Sequence, residues 1–172
     1  MRTALASILL VLSTAHAALA AAPARPLWSH IRPLTPSAAE LLTRAAERST
    51  ILRTQLEAIE QTDVVVYVLD SMSRSVGDPK ASLEFVATAG GRRYVVVRVD
   101  RWRLNPCEAI AWFGHELQHA IEVASAPEVT NAAQLARLYR RIGWEYGSGQ
   151  FESDAAQTAG HRVRDELAGF SR

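Results

Sequence analysis

The chain has 172 residues and a mass of 18.8 kDa, and 48% hydrophobic, 22% charged and 7% aromatic residues give it the profile of one globular domain. Lys and Arg number 19 against 18 Asp and Glu, and removing the first 20 residues takes away Arg2 alone, so no basic field remains to hold nucleic acid or an anionic membrane. Cys107 is the one cysteine, which excludes an internal disulfide and zinc sites built on several cysteines.

Residues 1–20 read as an export signal. Arg2 supplies the positive start and Ala4 to Leu12 a short apolar run. Ala18-Leu19-Ala20 or Ala20-Ala21-Ala22 supplies the small-residue cleavage site. Polar residues dilute the run below what a spanning helix needs, so export to the periplasm or medium is expected, without stable membrane insertion. A Pro-rich leader follows at 21–36, and residues 37–172 form a single domain without internal repeats.

Ser37 to Gln61 has near-helical apolar spacing and predicts one helix, or two broken near Ser49-Thr50. Asp63 to Asp70 is β-branched and aromatic, a buried strand. Ala81 to Thr88 and Arg92 to Asp100 flank Ala89-Gly90-Gly91, which predicts a hairpin. Asn105-Pro106-Cys107-Glu108 combines an N-cap, a Pro at the first helical position and a Glu at the third, so a helix should run from there to about Ala124. A short helix is expected over Asn131 to Arg141, a loop over Gly143 to Gly149, and a last helix over Gln150 to Phe170. The predicted fold is α+β: a backing helix, a three-stranded, mostly antiparallel sheet, a motif-bearing helix and C-terminal helices.

The chemistry lies in His115-Glu116-Leu117-Gln118-His119, the pattern HExxH. Two His four positions apart share one face of a helix, so both imidazoles reach a single ion, and the Glu beside the first reaches the edge of that site as a general base. Ile110, Phe113, Leu117, Ala120 and Ile121 form a packing stripe on the opposite side, while Glu108, Trp112 and Glu122 share the His face. Two His require a third protein ligand. Glu152 is favoured because it falls in a stripe with Ala155, Ala156, Ala159, Val163 and Leu167 on the last helix, where a buried lone carboxylate needs a cation. Glu122, Glu145, Asp154 and His161 are the alternatives, with Glu122 better placed to orient His119, and Asp154, His161 and Asp165 on the solvent side.

The order of helix, strand, hairpin, HExxH helix and Glu-bearing helix resembles the minimal core of the gluzincin metallopeptidases. Phe113 to Glu122 and Phe151 to Gly160 are similar to small exported bacterial zincin-like proteins. The resemblance spans most of residues 37–170 and implies zinc on His115, His119 and Glu152, with Glu116 as general base. Membrane gluzincins carry Glu-aromatic-x-Ala-Asp, which laid on this chain would put Gln150 at the ligand position, whereas the helical face selects Glu152. The implied function is hydrolysis of peptide or protein substrates, with Arg92 to Asp100 as the edge strand that pairs with them and Tyr146, His161 or an Arg as oxyanion donor. The alternatives are a non-catalytic zinc-binding protein and an interaction module.

Overall fold

The computed structural model describes residues 28–70, 78–147 and 149–169. The export signal read at residues 1–20 therefore lies outside the described residues. The fold is α+β, with five helices, a four-stranded sheet and a separate two-stranded one among the described residues. In chain order these are β1 (Ile31–Pro33), α1 (Pro36–Arg48), α2 (Thr50–Glu60), β2 (Val64–Asp70), β3 (Ala81–Ala89), β4 (Arg92–Val99), α3 (Pro106–Ala124), α4 (Ala132–Ile142), β5 (Trp144–Gly147), β6 (Gln150–Glu152) and α5 (Asp154–Gly169). Among the described residues no helix is long and apolar enough to cross a membrane.

The sheet differs from the three-stranded, mostly antiparallel one expected. Its order is β1-β2-β4-β3, and β1 and β4 both run parallel to β2, leaving β3–β4 as its antiparallel pair. Two facts account for the difference. The strand β1 lies inside the stretch read as leader, where Pro33 hides a three-residue strand from pattern reading. The hairpin then docks β4, its second strand, beside β2. Gly90 and Gly91 make that hairpin's turn with φ of 56° and 72°, the two positive values that a two-residue turn matched to strand twist requires.

One face of the sheet, carrying Val64, Val66, Val68, Val95, Val97 and Val99, joins the buried stripes of the helices in a single core. The long helix region breaks at Ser49, which caps α2 through Leu52 N–H while Glu166 of α5 accepts from its hydroxyl. The helix α3 starts as predicted, with the Asn105 and Glu108 capping box and Pro106 inside it. Its far end is held by a buried cation. Arg93 of β4 pairs with Asp63 at 2.6 Å and donates to the carbonyls of Val123 and Ala126 at 2.7 Å and of Ala124 at 3.2 Å. Those carbonyls lie in the last turn of α3 and just beyond it, where the helix dipole is negative, and those of Val123 and Ala126 accept in addition from the N–H groups of Ala126 and Val129.

Replacing Arg93 by Leu removes a donor from each of these carbonyls and leaves Asp63 without its cation. The expected loss is roughly 1–3 kcal/mol in a denaturant titration, against a smaller loss for Arg98→Leu, whose pairing with Glu84 is exposed.

Candidate metal centre

The helix α3 is enclosed on nearly every side, so its motif residues sit in the interior: His115, Glu116 and His119 are 6%, 3% and 5% exposed. The expectation of one packed and one open face underestimates this. The covering comes from α5, whose approach Gly160 permits, since a Cβ there would lie 3.2 Å from His115 Cβ and 3.4 Å from the Ala111 carbonyl oxygen.

The structure brings His115, His119 and Glu152 together, each offering one ligand atom within 4.8 Å of the others. Glu152 Oε1 lies 3.3 Å from His115 Nε2 and 3.5 Å from His119 Nε2. A four-coordinate ion with arms of about 2.0–2.2 Å has ligand-to-ligand edges of about 3.3–3.6 Å, so both separations fit one ion between these atoms. The route to Glu152 is not the one expected. It lies on β6, because β5 and β6 replace the predicted loop and the start of the last helix, and α5 begins at Asp154. Ser153 caps α5 through Ala156 N–H, and Ala155 of the inferred stripe is exposed.

The remaining acids separate clearly. Glu122 accepts from His119 Nδ1–H at 2.8 Å, which leaves His119 Nε2 for a ligand role, and its other oxygen accepts from the Ser153 hydroxyl at 2.6 Å. Ser153 N–H donates to Glu152 Oε1 at 2.8 Å. One residue thus ties the third ligand, the acid behind His119 and the start of α5 together. Glu145 accepts from Gly149 N–H on the hairpin and takes no part, while Asp154 and Asp165 are exposed. His161 is exposed too, yet lines a small cleft beside His115. Sequence reasoning missed Ser153, and it missed Tyr139, whose ring meets His119 edge-on at 5.0 Å and stacks on Phe151. It also missed Gln55, buried behind the motif and donating to the Gly114 carbonyl at 3.0 Å. A glutamine among Leu52, Leu56 and Ile59 was the available signal.

Electrostatics divides the two imidazoles. Burial, aided by the charge on His119, holds His115 down to about 4, so it is neutral at pH 7. Burial acts on His119 in the same sense, but hydrogen bonds to Glu122 and Glu152 outweigh it and lift the ring to about 10. Burial also pushes Glu116 up to about 7; the His119 charge opposes this shift and the Glu152 and Glu122 charges add to it. Glu116 Oε2 has no hydrogen-bond partner among the described residues. The residue also lines a cavity of about 930 Å³ shared by the motif, β3, α4 and the β5–β6 hairpin.

No protein family, characterised protein or solved structure matches the chain.

The folded metal-free protein holds a proton on His119 between pH 6.5 and about 10 that the unfolded chain has released. That contribution to stability is complete below pH 6.5 and fades as pH rises. Above pH 7 the shifts of His115 and Glu116 no longer oppose or add to it. Stability measured by urea titration in chelator should therefore fall between pH 7 and 9, by at most about 1.4 kcal/mol per pH unit, and Glu122→Gln should flatten the fall.

Gly143 gives a second test, because a Cβ there would sit 1.8 Å from the Glu152 carbonyl oxygen, a backbone atom that cannot step aside. Gly143→Ala should displace Glu152 and weaken metal binding by more than about tenfold, with helix content by circular dichroism retained. Gly169→Ala, at a position with open space around it, is the neutral control.

Proposed function

We propose that the protein is a zinc-dependent metallopeptidase of gluzincin-like arrangement, exported by its first 20 residues, with His115, His119 and Glu152 as zinc ligands and Glu116 as general base. The observation that carries the reading is the Glu116 carboxyl. It is buried, lacks a partner on Oε2, titrates near neutrality and opens onto a large cavity beside the ligand set. A structural zinc site closes itself with four protein ligands, whereas among the described residues three converge here, all lining the cavity.

Bound zinc supplies Lewis acidity toward a water and a carbonyl oxygen. The chain supplies the rest. The Glu116 carboxylate takes the proton of the attacking water and passes it to the departing amine, a task suited to a carboxyl whose pKa lies near the working pH. Glu122 keeps the proton of His119 on Nδ1, and Ser153 keeps Glu122 and Glu152 in register. Tyr146 of β5 lines the cavity as a protonated phenol, since burial and the Glu152 and Glu116 charges all raise its pKa. It is a better oxyanion donor than His161, which lines the side cleft instead.

The strand that meets an extended peptide is β3, not Arg92 to Asp100. The latter forms β4 and is enclosed between β2 and β3, whereas β3 ends the sheet and lines the cavity through Ala81 to Phe85. Main-chain pairing along β3 gives affinity with little dependence on sequence.

The mature protein should take up about one zinc and melt at higher temperature with it. Glu116→Gln should keep the zinc and lose peptide hydrolysis by several orders of magnitude, while Tyr146→Phe should lower kcat by about 10²–10³-fold. Glu152→Gln should weaken zinc binding more than Glu122→Gln, and both more than Asp154→Asn. Zinc content by mass spectrometry, paired with digestion of a peptide library, checks the set. A wild-type protein that takes up no zinc would refute the assignment.

A further inference from the structure

A second cleft, of about 160 Å³, adjoins the site and meets the large cavity at Trp112, His115, Glu152 and Gln157. Its outer wall is α5. Gln157, Gly160, His161 and Arg164 stand at i, i+3, i+4 and i+7, so they share one face of that helix. Gly160 seats that face against α3, and His161 comes near enough for its charge to act on His115. The polar character of the cleft is therefore set by two nitrogen-bearing side chains beside the reacting centre.

Neither is committed elsewhere. The side chains of Arg164 and His161 make no ion pair or hydrogen bond among the described residues, unlike Arg140 and Arg141, which pair with Glu145 and Glu128. Glu152 is the one carboxylate lining the cleft, and its charge is claimed by the ligand set. An unpaired guanidinium with an imidazole and an amide beside it offers several N–H donors to one anion, and Arg matches a carboxylate through two parallel bonds. The volume equals about five waters at roughly 30 Å³ each, enough for a short acidic arm.

We propose that this cleft, lined by Trp112, Gln157, His161 and Arg164, is a carboxylate-binding subsite that selects peptides with an acidic group next to the bond presented to Glu116. The inference rests on the peptidase reading above and names its substrate class. The peptide spans the large cavity along β3, crosses His115 and Glu152, and places its carboxylate against Arg164. The group recognised is a carboxylate, whether from an internal Glu side chain or from a free C-terminus.

Three N-acetylated tripeptides separate these cases: one with a central Glu and an amidated end, one with a central Gln and an amidated end, and one with a central Gln and a free acid end. Binding is measured by calorimetry to the full mature zinc-loaded Glu116→Gln protein, which does not turn them over. One or both acids should bind about tenfold more tightly than the neutral peptide, and whichever does is the source. Arg164→Gln should erase the preference. Arg162→Gln, on the same helix outside the cleft, and Lys80→Gln, in the large cavity, should retain it. Equal binding of all three peptides, no measurable binding of any, or loss of the preference in Lys80→Gln instead of Arg164→Gln overturns the subsite. A wild-type protein that binds acids selectively through Arg164 but cleaves nothing leaves the subsite standing and removes the peptidase reading. Cleavage without acid preference does the reverse.

Discussion

The structure depends on how α3 is buried. A helix with both faces covered cannot send its polar side chains to water, and α3 carries two His and two Glu inward along one side. Each such group costs free energy unless a partner meets it. Glu122 and His119 satisfy one another, Ser153 satisfies Glu122, and Glu152 arrives from outside the helix to face both imidazoles. Glu116 Oε2 alone of these carboxylate oxygens is buried without a hydrogen-bond partner among the described residues.

Glycine sets the distances within that arrangement. Gly114 lets Val163 and Leu52 close on α3, Gly160 does the same beside His115, and Gly143 lets the chain leaving α4 touch the Glu152 backbone. At Gly143 the omitted Cβ brings two backbones closer than an alanine would allow, whereas at Gly114 and Gly160 it makes room chiefly for side chains, Val163 and His115. Arg93 performs the complementary task at the end of α3, adding donors to the carbonyls there.

Most of the elements were legible in the amino-acid order because their signals are local. The capping box at Asn105, the Gly90-Gly91 turn, the β-branched run at Val64 and the break at Ser49 each depend on a few neighbouring residues. The site was legible for the same reason where it is helical, since four-residue spacing alone aligns His115 with His119. Glu152 was reached by a wrong path. Its apparent place in an apolar stripe follows from reading Gln150 onward as helix, whereas Ser153, a residue suited to capping and followed by Asp154-Ala155-Ala156, marks the true start. Strand order was not legible. The parallel alignment of β4 with β2 is decided by contacts distant in the chain, and β1 is too short for its three residues to show a period.

The hairpin bearing Glu152 belongs to neither the main sheet nor a helix. Two short strands are marginal on their own, and this pair is held by Gly143, by the stacking of Phe151 on Tyr139 and by the Ser153 cap. Two of the proposed ligands, His115 and His119, therefore stand on a deeply packed helix, and the third, Glu152, on a two-stranded hairpin outside the main sheet. Exchange of an ion held by the proposed ligand set would then be governed by the opening of a few residues and not by global unfolding, its rate a kinetic property of the hairpin. Backbone amides of β5 and β6 are the ones whose hydrogen exchange would keep time with it.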